Sequence, residues 1–264
     1  MGFAFRISRN MNVSRQISNQ KFCADELRTL DADRYLIALF QPRQIRRYAI
    51  ALAAWNIELS RARPHSGEQT LGLIRLQWHR DALNEIKEGR PRHHPVIEEL
   101  AFAHDAGKVD TDRLENIINA RERDINPAPV QSVDELENYA RATGGALHAE
   151  LWRNTPVEKV AEDVGTGYAL IGIARSELIN SARGRPWLPE PIEHNLKLII
   201  ERGITLGAKT APTGYRAAMA PAILINAYAK HAKRAGFDYT SPTMQAPDPN
   251  RTLRMIMAKL LRKI

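Results

Sequence analysis

Apolar residues recur at helical spacing along almost the whole chain. Between Asp25 and Phe40 they fall at Leu27, Leu30, Tyr35, Leu36, Leu39 and Phe40, and Pro42 closes the run. Tyr48, Leu52, Trp55 and Leu59 form one stripe on a second helix from Gln44 to Ala62, which Pro64-His65-Ser66-Gly67 breaks. A third helix spans Thr70 to Lys87 around Trp78, followed by a basic loop from Gly89 to Pro95 and helices over Val96–Ala106 and Asp112–Asp124. Ser132-Val133-Asp134-Glu135 is a capping box that opens a helix through Leu136, Tyr139 and Leu147. Further helices are expected over Val157–Arg183, Glu193–Thr205 and Pro221–Arg234. A polar, proline-bearing link from Ser241 to Asn250 leads to a last helix from Arg251. No useful alternation with period two appears, so the pattern predicts an all-α fold without a sheet. The expected organisation is a basic, disordered segment over 1–22, one helical domain over 23–240, and a linker with a terminal helix over 241–264.

Composition narrows this only in places. The 264 residues can bury a substantial core, and no run approaches the about 18 apolar residues of a membrane-spanning helix. The single cysteine, Cys23, excludes an internal disulfide and a cysteine-based zinc site, and points to a reducing compartment. Charge says more. Residues 1–200 hold 27 Lys/Arg and 27 Asp/Glu, whereas residues 201–264 hold 11 and 3, so the whole net charge of +8 lies at one end. That asymmetry indicates a local anionic partner, and no nucleic-acid motif accompanies it. Residues 1–22 contain Arg6, Arg9, Arg15 and Lys21 and no acid, the composition of an organellar transit peptide or of a basic tail.

The long helix from Val157 to Arg183 carries the most distinctive pattern. Gly167, Ala169, Gly172 and Ala174 form a small-residue stripe that predicts close approach of another helix. Ser176 and Asn180 then look the same way one turn apart, and Arg183-Gly184-Arg185-Pro186-Trp187-Leu188-Pro189 ends the run. This stretch resembles the second aspartate-rich helix of the squalene/phytoene synthases in Arg175, Arg183, Gly184, Arg185, Leu188 and Pro189. Ser176, Ile179 and Asn180 stand where that motif has acidic residues. Asp33-Arg34-Tyr35, Ile74-Arg75-Leu76-Gln77-Trp78 with Arg80-Asp81-Ala82-Leu83, His94-Pro95, Arg121-Glu122 and Leu136-Glu137-Asn138-Tyr139 follow the family order across about residues 24–235. Ala54-Trp55-Asn56-Ile57-Glu58-Leu59 is similar to the segment that replaces the first aspartate-rich motif in a branch known as respiratory complex I assembly factors.

The resemblance implies an isoprenoid-synthase-like helical bundle around a central cavity. In the family's enzymes two facing carboxylate pairs hold Mg²⁺, which clamps a prenyl diphosphate. Family spacing puts Ser60 and Pro64 at the outer positions of the first pair, and Ser176 and Asn180 at the second. Neutral hydroxyls and amides are weak ligands for Mg²⁺, so neither a catalytic residue nor a metal site is expected. Asn56, Glu58, Arg75, Gln77, Tyr139, Arg175, Arg183 and Arg185 are the candidates for lining the cavity or binding phosphate, with Glu58 and Arg75 as a buried pair. The expected function is a non-catalytic factor in complex I assembly, without cofactor. The alternatives are an active Mg²⁺-dependent prenyltransferase of the squalene/phytoene synthase type, or a protein that holds a lipid or isoprenoid in the cavity. The expected location is the cytoplasmic face of a bacterial inner membrane, or the matrix side in a mitochondrion if residues 1–22 are a transit peptide.

The terminal helix is amphipathic. Leu253, Ile256, Met257, Leu260, Leu261 and Ile264 fall on one side and Arg251, Arg254, Lys259, Arg262 and Lys263 on the other, with Met255 alone out of place. Such a helix lies on an anionic membrane, docks in a partner's groove, or packs on its own domain. The candidates for membrane contact are Leu253, Arg254, Ile256, Lys259, Leu260, Arg262 and Lys263.

Overall fold

Asp31 divides the helix expected from Asp25 to Phe40. Helix α1 runs Gly2–Leu30 and α2 runs Ala32–Phe40, and the Asp31 carboxylate accepts a hydrogen bond from the Arg34 amide at 2.9 Å. The carboxylate satisfies an amide that begins a new helix, so the chain restarts there. The computed structural model describes residues 2–63, 69–126 and 128–261, with side chains from residue 13 onward. Residues 2–22, expected to be disordered, lie within α1, so the boundary placed after residue 22 falls inside a helix. Their basic composition concealed a long-range partner: Arg15 and Asn19 both donate to the Glu98 carboxylate.

The other helices match the sequence pattern closely. They are α3 (Arg43–Ser60), α4 (Gln69–Lys87), α5 (Pro95–Asp105) and α6 (Thr111–Arg121), which passes into a 3₁₀ turn over Glu122–Ile125. Then come α7 (Val133–Ala140), a π-helical turn (Arg141–Gly145), α8 (Ala146–Glu150), α9 (Glu158–Ala182) and α10 (Ile192–Gly207). A 3₁₀ turn (Thr213–Met219), α11 (Ala220–Arg234), α12 (Pro242–Gln245) and α13 (Arg251–Leu261) complete the chain. No strand occurs among the described residues, and no helix among them is long and apolar enough to cross a membrane. The Ser132 cap forms, its Oγ accepting from the Glu135 amide at 3.1 Å, while Glu135 Oε2 reaches back one residue further than in a capping box and accepts from the Gln131 amide.

Two large apolar cores, with two smaller clusters, build the bundle. One joins α7, α9, α10 and α11 through Leu136, Leu170, Leu196, Ile199 and Leu224. The other joins α3 to α6 through Trp55, Leu76, Leu83, Ile97, Leu100 and Leu114. Helix α9 belongs to the first core and packs closely on α10 and on the π-helical turn, and glycines let it. A methyl group on Gly167 would lie 2.7 Å from the Gly203 carbonyl of α10, and one on Gly144 would lie 2.6 Å from Ala169 Cβ. Gly172 corrects the expected stripe. A methyl group there would meet nothing within 4 Å, because Gly172 faces the space between the cores.

The end of α9 sets the site's far wall. Gly184 adopts φ +67°, its amide donates to the Ser181 carbonyl and the Arg185 amide to the Asn180 carbonyl. These two bonds form a Schellman cap, which a residue with a side chain adopts only at a cost. The turn leaves Arg183 exposed and sends Arg185 inward, where its guanidinium donates to the carbonyls of Asp124 and Ile125 at 2.9 and 3.0 Å.

Candidate ligand cavity

A cavity of about 760 Å³ opens between the two cores, walled by α2, α3, the end of α6, α7, α9 and the first residue of α13. Six arginines line it (Arg34, Arg61, Arg63, Arg121, Arg175 and Arg251) against three aspartates (Asp31, Asp33 and Asp124). Each aspartate is committed to protein partners. Asp31 pairs with Arg34 at 2.5 Å. Asp33 accepts from the Tyr228 hydroxyl at 2.5 Å and lies 3.4 Å from Arg175 and 3.3 Å from Arg251. Asp124 accepts from the Tyr139 hydroxyl at 2.6 Å and pairs with Arg121 at 3.2 Å. Burial holds the Tyr139 phenol far above its usual pKa, so it stays a neutral donor to Asp124.

The two positions on α9 face this cavity as expected. The Asn180 side-chain amide donates to Ser176 Oγ at 3.0 Å and to the Ser176 carbonyl at 2.9 Å, while Ser176 Oγ donates to the Ile173 carbonyl. Across from them Ser60 donates to the Ile57 carbonyl. Pro64 lies outside the described residues. Ser60, Ser176 and Asn180 offer the family's Mg²⁺ only neutral, weak ligands. The neutral side chains satisfy one another or the backbone, the aspartates are neutralised by arginine, and no cluster of three or more His, Cys, Asp or Glu able to hold a metal occurs among the described residues. The lining holds arginine in excess over aspartate, with Arg61 paired to Glu26 outside it. Arg63 lies over the Trp187 ring at 4.2 Å and donates to the Arg185 carbonyl, and burial pulls its pKa below the ordinary arginine value.

The candidates divide. Asn56, Tyr139 and Arg175 line the cavity, with Asn56 accepting from Arg121 at 2.7 Å and Arg175 stacked 3.6 Å over Tyr228. Arg185 is buried behind the wall and Arg183 is exposed, so neither presents its charge to the cavity. Gln77 is exposed and donates to Asp81. The expected Glu58–Arg75 pair does not form. Arg75 is exposed and donates to the Arg61 carbonyl at 2.6 Å, whereas Glu58 faces His94 Nε2 at 3.6 Å. The neighbours packed on each face of α3 decide this, and helical spacing alone does not contain that information. Sequence reasoning misses Arg34, Arg61, Arg63, Arg121 and Arg251 because they come from four separate segments. The Asp33-Arg34-Tyr35 and Arg121-Glu122 pieces of the family frame are the only signals that point to any of them.

Comparison with known proteins agrees with this architecture. The family model for squalene/phytoene synthase matches residues 27–235. Curated relatives named NADH dehydrogenase (ubiquinone) complex I, assembly factor 6 are 31% identical over 173 residues in Mus musculus and 28% over 176 residues in Homo sapiens. These matches cover 64% and 65% of this chain and 52% and 53% of the relatives, so the chain spans about half the length of the curated relatives it matches. A dehydrosqualene synthase crystal structure superposes with a TM-score of 0.75 at 13% identity, covering 95% of this chain and 99% of that one. The squalene synthase HpnC from Alicyclobacillus acidocaldarius gives 0.67 at 13% identity, covering 84% and 95%. The fold is that of the isoprenoid synthases, and the chain belongs to the squalene/phytoene synthase family.

Proposed function

We propose that this chain is a non-catalytic member of its family that serves the assembly of respiratory complex I. The observation that carries the reading is the cavity wall itself. Ser176 and Asn180 face the cavity bonded to each other, and every lining aspartate is tied to an arginine or a tyrosine. A divalent clamp for a departing pyrophosphate needs free carboxylates on both sides. The curated relatives, named for complex I assembly, support the role. A bacterial chain of this kind works at the cytoplasmic face of the inner membrane, a mitochondrial one on the matrix side. In a strain lacking the chain, NADH–quinone activity and the amount of assembled complex I should fall and return on complementation. Unchanged complex I in that strain would overturn the assignment.

The cavity also supports a second reading, that a ligand is held without chemistry. Six arginines against three aspartates beside the apolar Ile57, Ile173 and Trp187 fit an anionic head with an apolar tail, such as a phosphate-bearing lipid or isoprenoid. Ligand carried through purification and released by organic extraction would be detected by mass spectrometry. A ligand-free protein from its native host would count against this reading.

A further inference from the structure

Helix α13 turns its apolar side outward and part of its basic side inward. Its inner row is Arg251, Arg254, Met255 and Ala258. Arg251 reaches Asp33 at the cavity wall, Arg254 donates to Asp248 at 2.6 Å, and Met255 is buried in the core. Met255, out of place on the helical wheel, is thus the residue that fastens the helix down. The outer row is Leu253, Ile256, Met257, Leu260 and Leu261, between 42% and 70% exposed, and none of the described residues covers it. Lys259 is drawn aside, its ammonium 5.5 Å from the Phe40 ring. Arg262 and Lys263 lie outside the described residues. Five large apolar side chains in one uninterrupted row differ from the scattered hydrophobes of an ordinary surface.

We propose that the outer face of α13 docks on the surface of an anionic lipid bilayer, with the apolar row in the acyl boundary and the cavity mouth brought to the headgroups. Charge selects this occupant. Residues 201–264 carry 11 Lys/Arg against 3 Asp/Glu, and arginines outnumber aspartates in the cavity beside the helix. Such a surface attracts anionic headgroups and repels a second copy of itself. Leu30, exposed at the rim of the same cavity, adds an apolar side chain from α1. Because Asp33 and Asp248 already neutralise Arg251 and Arg254, apolar insertion provides the larger share of binding. Salt therefore weakens the docking without abolishing it.

The test is sedimentation of the full chain with vesicles of phosphatidylcholine alone and with a two-to-one mixture of phosphatidylcholine and phosphatidylglycerol. Binding should be stronger to the anionic vesicles and persist in part at high salt. The double variant Ile256→Glu/Leu260→Glu should bind roughly tenfold less or weaker, with its thermal midpoint unchanged because both side chains are already solvent-facing. A variant that loses its fold would be replaced by Leu260→Ser alone, for which a smaller loss of the same sign is expected. Absence of vesicle binding, wild-type binding by a folded variant, or complete release by salt would overturn the proposal. So would a lipid-free dimer that the double variant dissolves, since the face would then belong to a second copy.

Discussion

Glu58 shows how one residue's surroundings decide its charge. Its side chain is 14% exposed, and burial pushes the carboxyl up to about 7, with Arg61 pulling it partly back and Glu26 adding to the rise. The unfolded chain releases this proton near 4.5, so between about 4.5 and 7 the folded state holds a proton that the unfolded state has lost. Stability from this group is present in full below 4.5 and is lost as pH rises through 7. Glu58→Gln should remove that dependence and raise stability at pH 8 by on the order of 1–3 kcal/mol relative to the native chain. Denaturant midpoints of both proteins at pH 4.5 and pH 8 check this. A difference that does not grow with pH would contradict the assignment. Residue identity is legible in this case, since the sequence marks Glu58 as the acid left near the first motif. Its partner is not, because His94 comes from a loop 36 residues away in the chain.

At the scale of elements, α9 separates what spacing can reveal from what it cannot. Its length, its small residues, its inward Ser176/Asn180 pair and its proline-bearing end are readable, whereas the Gly184 cap that stops it is seen only in the structure. Which glycine touches a neighbour is not, because small residues occur on more than one face and only the packing of α10 and the π-helical turn selects among them. The two glycines therefore make a paired test. Gly167→Ala forces a methyl group against the Gly203 carbonyl and should cost on the order of 1–3 kcal/mol. Gly172→Ala meets open space and should leave stability unchanged or raise it by up to about 1 kcal/mol through helix propensity. Thermal or chemical melting of the two variants side by side reads the result. Equal destabilisation would mean that α9 is rotated about its axis, with Gly172 packed against a neighbour. The same limit explains α1 and α13. Composition suggests a loose basic segment at one end and a basic face at the other, yet carboxylates distant in sequence, Glu98 for Arg15 and Asp33 for Arg251, determine where those charges go.

In the molecule as a whole, the family's bundle is present around a cavity, and neutral side chains stand where the resemblance places the family's acids. Where facing carboxylates would gather divalent cations, this chain leaves neutral side chains, satisfied aspartates and an excess of arginine. The bundle is legible because helix periodicity and caps are local. The wall is half legible: the neutral residues at the motif positions appear in the sequence, but the arginines that line the cavity come together only in three dimensions. Restoring acids on one side should not bring activity back, because Ser60 still stands opposite. The most direct measurement is pyrophosphate release by purified protein supplied with Mg²⁺ and farnesyl or geranylgeranyl diphosphate, for the native chain and for Ser176→Asp/Asn180→Asp. Both should stay at the level of a protein-free blank. Steady release by the native chain, abolished by a chelator, would contradict the account.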